Sequence, residues 1–477
     1  MIKMKNNHLR LSIFLTAGIV FGACKKELNV YPTTAEASGN LITNQLTAQQ
    51  VLNGVYYRFA GAGIDGFGSE STEWSVPNEI YPSELSGSLE QSNVGSLYNY
   101  TFDADDADVN SMWVYDYALV DAADGFISNM TPVTSVSTTV KQQMLAEAMF
   151  LRAFGYSELL LYFGQYTDTS SQYGIILRDQ EASASNINLP RSTVAAAYTS
   201  ILSDLDAAIQ GLPVLNSAIY YTNASTAKLL KARVLMNRGA TGDYAQVISL
   251  TNDIISNGPF ALEDSLKDIF LTKGFESKEV MLGIQPFSTE TDKFYYYQES
   301  AGYTTGNLLP ILLADDARNQ WIYKPFTYPW GGGYNELTKY YSGDPINTVQ
   351  TPLSTYCYAF RLSEAYLLEA EAITMSGGDT ATAKTLLKTV MSHAGAGPTE
   401  LAAVDSATTP AALQLEIVKE NMRNFTYENG VDWFALRRLP FATIQSLNSN
   451  IKNPSKLIFP IPSSELTYNK VIQNPGY

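Results

Sequence analysis

The pattern that most narrows the fold of this chain is a helical hairpin that returns along it. Apolar residues at helical spacing run from Met144 through Phe150, Leu151, Phe154, Leu159 and Leu160 to Phe163, where Gly164 ends them. A second helix opens after Pro190-Arg191-Ser192 and carries Val194, Tyr198, Ile201, Leu205 and Ala208 before Gly211 and Pro213 stop it. The unit returns with Ala227, Leu230, Val234 and Leu235, the turn Gly242-Asp243-Tyr244, then Val247, Leu250 and Ile254. It returns again with Leu362, Ala365, Leu368 and Ile373, the turn Gly377-Gly378-Asp379, then Ala383, Leu386, Leu387 and Val390. Leu413–Phe425 with Trp433–Leu439, and Val51–Phe59 with Trp113–Ile127, fit two further pairs. A single hairpin leaves an apolar face uncovered, so hairpins in series must stack into one continuous core.

This spacing predicts an all-α-dominated chain of tetratricopeptide-like hairpins, an α-solenoid, interrupted by long irregular insertions. The helical frame is assigned to residues 43–60, 109–259 and 358–440. Residues 61–108 and 260–357 are rich in turn formers and scattered aromatics, and 441–477 reads as an extended tail. Loops this long are uncommon unless they carry function, and binding residues gather on loops held by a rigid scaffold.

Residues 1–23 read as a leader. Lys3, Lys5 and Arg10 precede the apolar run Leu11–Gly22, which is too short to span a bilayer, and small residues lead to Cys24. This is similar to a bacterial lipoprotein signal cleaved before Cys24, with Phe21 a departure from the usual aliphatic residue. The mature chain then runs from 24 to 477 as one domain, anchored by lipid with no spanning helix. Cys357 is the other cysteine of the pair, so lipidation of Cys24 leaves no intramolecular disulfide and stability rests on packing.

Charge removes one class of partner. A net charge of -16, with no basic cluster set apart, repels phosphate backbones and argues against nucleic acid. Catalytic patterns are sparse. His393 is the one histidine outside the leader, no Gly-x-Ser-x-Gly or Walker A sequence occurs, and Gly61-Ala-Gly63-Ile-Asp-Gly66 follows a helix-like run instead of a strand. Asp103, Asp105 and Asp108 echo a calcium loop, but Asp108 stands where such a loop has glycine and Val114 where it has glutamate. Capping of a helix that begins near Asn110 is the favoured role for this acidic run. No cofactor is expected, with calcium on this run the one alternative left open.

Four segments carry a family resemblance. Leu145-Ala-Glu147-Ala-Met-Phe-Leu151-Arg152-Ala153-Phe154, ending Leu161-Tyr162-Phe163-Gly164, resembles the signature helix of the SusD/RagB family of outer-membrane nutrient-binding lipoproteins. Pro190-Arg191-Ser192-Thr193-Val194 with Asp204-Leu205, and Phe360-Arg361-Leu362-Ser-Glu364-Ala-Tyr366-Leu367, are similar to its later motifs. So is the ending, Pro460-Ile461-Pro462, Glu465 and Gln473-Asn474-Pro475-Gly476-Tyr477. The acidic residue the family commonly has after Trp-Phe is missing: Ala435 follows Trp433-Phe434, and Asp432 precedes them.

The resemblance implies a SusD-like α-helical fold with an irregular ligand side. It also implies a non-catalytic, lipid-anchored role at the outer surface of the outer membrane, and a partner in a SusC-like TonB-dependent β-barrel transporter that imports oligosaccharide or another nutrient. A sugar ring has an apolar face and a rim of hydroxyls, so its site needs flat aromatic platforms beside polar side chains. The candidates are Trp74 with Asn78 and Tyr81, Tyr296 within Tyr295-Tyr296-Tyr297, and Trp321, Tyr323 and Trp330 near Gly331-Gly332-Gly333. Two other readings stay open: a helical-repeat scaffold that binds a protein and no glycan, and a glycoside hydrolase built on paired carboxylates.

Overall fold

A computed structural model describes residues 41–61, 72–91, 95–183, 185–286, 293, 297, 302–341 and 351–477. Cys24, the leader, Gly63–Gly66, Tyr295 and Tyr296 lie outside these residues. The described chain is mostly helical. Nine helices build the frame: α1 (Gln45–Phe59), α2 (Ala107–Met130), α3 (Thr138–Phe163), α4 (Val194–Gly211), α5 (Ala224–Arg238), α6 (Asp243–Asn257), α7 (Leu362–Met375), α8 (Thr380–Ala394) and α9 (Pro410–Asn424). Each packs on the helix before it, α9 lying more on α7 than on α8, and α7 returns onto α6 after the long excursion. The expected hairpins are all present, and they stack in series.

Local chemistry sets the ends. Asn44 and Asn223 form capping boxes with Thr47 and Thr226, and Thr193 and Asp379 cap α4 and α8. The acidic run does cap a helix, three residues earlier than expected, with Asp106 Oδ1 accepting from the backbone of Asp108 at 2.9 Å and of Val109 at 3.2 Å. Helix α3 is buried nearly all round from Phe150 to Phe163, which makes it the axis of the core. Burying each such large apolar side chain contributes roughly 1.5–3 kcal/mol. Gly155 lets α2 come close, since a Cβ there would meet Val120 Cγ2 at 3.0 Å and Asp116 O at 3.1 Å.

The motifs behind the family resemblance are framework joints. Arg152 on α3 grips Asp204 of α4 with two bonds of 2.8 Å and Asp124 of α2 with one of 2.7 Å, tying three helices. Arg191 donates to the carbonyls of Phe163, Tyr173, Gly174 and Ile472 and to Asn474 Oδ1, so it joins the second motif to the chain's end. Asn474 returns two bonds to the carbonyls of Phe163 and Phe459. Arg233 of α5 binds Glu364 of α7 through two bonds. Asp432 finds hydroxyl partners in Ser83 and Ser86, at 2.7 and 2.9 Å.

Among the described residues the strands form three two-stranded antiparallel sheets. These pair β1 (Leu89–Gln91) with β3 (Tyr303–Thr305), β2 (Val280–Ile284) with β6 (Cys357–Arg361), and β4 (Tyr323–Thr327) with β5 (Gly333–Leu337). The β2–β6 ladder closes the excursion where it leaves and rejoins the frame. The tail is less extended than its composition suggests, holding short helices Phe441–Leu447 and Ser463–Tyr468. No helix among the described residues is long and apolar enough to cross a membrane.

Candidate functional site

Trp330 is the sequence candidate that stands open. The β4–β5 hairpin positions it. Alternation along β4 puts Phe326 and, just beyond its end, Tyr328 on one face, the turn carries Trp330 over Tyr328, and the register sets Tyr334 opposite Phe326 and Glu336 opposite Lys324. The turn closes with the Tyr328 N–H donating to Gly332 O at 2.9 Å and the Gly331 N–H donating to Tyr328 O at 3.0 Å. Gly331 and Gly332 hold φ of +96° and +79°, left-handed values that a side chain would strain.

The four rings form a continuous shelf. Trp330 lies nearly parallel on Tyr328, with centroids 5.0 Å apart at 13°. Tyr328 meets Phe326 edge-on at 5.4 Å and Tyr334 at 5.7 Å, and Phe326 lies 5.2 Å from Tyr334. Trp330 is 81% exposed and Tyr328 37%. Burial, the nearby Glu336 carboxylate and the Tyr328 phenol push the Tyr334 hydroxyl above its ordinary pKa, keeping it a hydrogen-bond donor. Asn335 pins the hairpin to β3, exchanging 3.0 Å bonds with Thr304 Oγ1 and donating at 2.8 Å to Thr305 Oγ1.

The root of the hairpin is ionic and buried. Arg318, just before β4, makes two bonds each to Asp316 and Glu420, all between 2.6 and 2.9 Å. Burial opposes the Asp316 carboxylate, yet Arg318 overcomes it and holds the group below its ordinary pKa. Lys339, just after β5, donates to Glu428 Oε2 and Thr426 O at 2.8 Å. Glu428 also receives Arg361, which reaches on to Glu279 and Asn424. Against burial, Arg361 and Lys339 keep the Glu428 carboxylate ionised.

The remaining candidates are placed differently. Trp74 is 1% exposed and packed against Phe59 at 5.1 Å and Phe154 at 5.8 Å, which leaves no ring face for a ligand. It is a core residue, as is Tyr81, whose hydroxyl donates to Asp108 at 2.6 Å. Asn78 is half-buried and reaches back to Trp74 O. Trp321 and Tyr323 are buried at the hairpin's root, Trp321 lying 6.0 Å from Phe270. Tyr297 is buried with its hydroxyl on Glu79, while Tyr296 lies outside the described residues. In the acidic run that echoes a calcium loop, Asp103 and Asp105 are exposed, with Asp103 accepting the Asp105 N–H, and the half-buried Asp108 accepts from the Tyr81 hydroxyl. No group of three or more metal-ligating side chains occurs among the described residues.

Sequence reasoning missed Phe326, Tyr328 and Tyr334, although aromatics at every second position before a glycine turn are a hairpin signal. It also missed a cavity of about 310 Å³ where α1 and β2 end. Tyr56, Tyr57, Tyr220 and Tyr221 line it with Asn53 and Gln285. Tyr221 stands edge-on to Tyr56 at 5.0 Å and donates to Asn53 Oδ1 at 3.0 Å, while the Tyr56 hydroxyl is taken up by Glu147. The signal was the paired tyrosines at 56–57 and 220–221. Shelf and cavity share one chemistry: aromatic faces beside neutral hydrogen-bonding groups, suited to a ligand with both apolar faces and hydroxyls.

Comparison with known proteins adds the following. A family model described as "Starch-binding associating with outer membrane" matches residues 41–234, and the SusD family model matches residues 289–477. No curated protein matches the chain. Among solved structures, a SusD superfamily protein from Bacteroides thetaiotaomicron superposes with a TM-score of 0.73 at 20% identity, covering 91% of this chain and 100% of that one. One from Parabacteroides distasonis gives 0.74 at 16% identity, covering 91% and 100%. A structure titled "Laminarin binding SusD-like protein" gives 0.69 at 20% identity, also covering 91% and 100%. At these identities the likeness establishes a shared fold.

Proposed function

The chain belongs to the SusD/RagB family, and on that premise we propose that it is a cell-surface glycan receptor, held on the outer membrane by lipid on Cys24. It captures oligosaccharide and delivers it to a SusC-like TonB-dependent β-barrel transporter. Members of this family bind; they do not catalyse. The observation that carries the reading is the aromatic shelf, with Trp330 81% exposed on a hairpin whose root is clamped by buried ion pairs.

A tryptophan so exposed has little packing role of its own. Its free face matches the apolar face of a pyranose ring, while Tyr328 beneath holds its orientation. A sugar stacked there is covered on one side alone. Several such platforms, or a platform and a concave wall such as the tyrosine-lined cavity, are needed to reach useful affinity. Preorganisation by the clamped root lowers the entropic cost of binding.

The test uses protein lacking residues 1–24 and affinity electrophoresis in gels containing starch, laminarin and a wider set of polysaccharides. At least one is expected to retard the wild type and to retard Trp330→Ala much less. Free migration in every gel would overturn the glycan reading and favour a protein-binding scaffold. Release of reducing ends by pure protein would contradict a binding-only role. For the partner, the full-length protein is expected to co-purify in detergent with a β-barrel, and its isolation alone at native expression would contradict delivery.

A further inference from the structure

A second cavity, of about 520 Å³, lies away from the elements that build the shelf and the tyrosine-lined cavity. One face of α2 forms its floor with Trp113, Tyr117 and Asp121. Residues 176–182 and 187–188 make one wall and the helix Ser463–Tyr468 the other. We infer that this cavity is a second saccharide site, taking a neutral sugar of one or two rings. This rests on the glycan reading given above.

Three observations support it. The walls are preformed. The Tyr117 hydroxyl bonds both the carbonyl and the N–H of Ile176, at 3.2 and 2.9 Å, and Asp121 Oδ1 accepts the Ala182 N–H at 2.6 Å. The second wall is locked by Ser463 N–H on Ala104 O at 2.8 Å and Ser464 Oγ on Asn110 at 3.1 Å. A volume of this size falls within the range of about 300–1,000 Å³ for small-molecule sites.

The rim gathers exposed apolar side chains around one opening. Tyr468 is 81% exposed, Ile187 50% and Val114 42%. Tyr468 matches Trp330 in exposure, and both stand on short structures pinned to a rigid frame.

The polar groups then choose the ligand class. Asp121 uses Oδ1 on Ala182 and Glu465 uses Oε2 on Asn469, leaving Asp121 Oδ2 and Glu465 Oε1 as acceptors. Two carboxylates against one guanidinium, Arg178, repel an anion and leave acceptors in excess on the lining. Acceptors beside a ring suit a neutral molecule rich in hydroxyl donors, since each carboxylate oxygen accepts an O–H strongly.

The test measures saturation-transfer NMR on maltose, cellobiose and laminaribiose with the wild type, Trp330→Ala, Tyr468→Ala, Asp121→Asn and the Trp330→Ala/Tyr468→Ala double variant. Tyr468→Ala removes a surface ring, and Asp121→Asn keeps the Oδ1 that holds Ala182, so both variants fold. On the Trp330→Ala background at least one disaccharide is expected to keep binding, and Tyr468→Ala to weaken that remainder roughly tenfold, the worth of one stacking platform. Asp121→Asn is expected to weaken it too. Equal binding by Trp330→Ala and the double variant overturns the inference and leaves the shelf standing. Loss through Tyr468→Ala alone, with Trp330→Ala unchanged, supports it and removes the shelf. No binding by any protein overturns both readings together.

Discussion

Between Arg318 and Lys339 the chain passes from sealed charge to an open tryptophan and back. At the root both cations have 0% side-chain exposure, while at the tip Trp330 is 81% exposed. Ordinary folding places these residue types the other way round. The root can hide its charges because Arg318 meets two carboxylates, and Lys339 a carboxylate and backbone carbonyls, in bonding geometry, and the tip can expose its rings because they cover one another. The contrast teaches where each region's selection lies. Root residues serve the frame through partners far away in sequence, whereas the tip residues contact mainly each other and so are free to meet a ligand.

Breaking the root is expected to give the largest effect. Arg361→Ala leaves Glu428 and Glu279 buried without their guanidinium, and loss of one partner from such a pair costs about 3–5 kcal/mol. Urea unfolding monitored by circular dichroism should report it as a large drop in midpoint. An unchanged midpoint would mean the root is not a clamp.

Next comes pH. Burial first, and then nearby Asp108, push the Glu84 carboxyl up to about 8, and burial pushes Glu158 up to about 7 against the pull of Arg233 and Arg437. Both groups ionise in the unfolded chain at ordinary acidic pH but stay protonated when folded, so the native state binds more protons between about pH 4.5 and 8. Their contribution is therefore greatest at the acid end and is lost as pH rises through that window, by on the order of 3–5 kcal/mol for each group. Glu84→Gln should flatten the slope of unfolding free energy against pH. This sharpens the comparison, because the shelf contributes no such term.

Smaller effects belong to the tip. Trp330→Ala is expected to weaken glycan binding about tenfold or more while leaving stability within roughly 0.5 kcal/mol, as for an exposed surface residue. Tyr328→Ala removes the ring that orients Trp330 and should weaken binding less, by about 0.5–1.5 kcal/mol in titration calorimetry. If Tyr328→Ala instead proved the more harmful, Trp330 would be a cover and Tyr328 the platform.

How much of this could be read in the sequence follows from the range of the interactions. Helix α3, the α4 boundary at Pro190–Thr193 and the α7–α8 turn at Gly377–Asp379 are written in local periodicity and caps, and all were legible. The root was not, because Arg318 meets Glu420 102 residues away, Arg361 meets Glu428 67 away, and Lys339 meets Glu428 89 away. Trp74 misled for the same reason. Its surroundings in sequence are polar and turn-rich, but the rings that bury it, Phe59 and Phe154, come from α1 and α3. Trp330 was legible as a candidate from its glycine turn, while its partners Phe326, Tyr328 and Tyr334 required the strand alternation to be taken across the turn.

The most direct measurement takes one preparation of Trp330→Ala and records both its affinity for the glycan that retards the wild type and its thermal unfolding midpoint. A shelf built for binding on an independent frame predicts at least a tenfold loss of affinity with the midpoint unchanged. Wild-type affinity, or a loss of affinity matched by a fall in the midpoint, would contradict it.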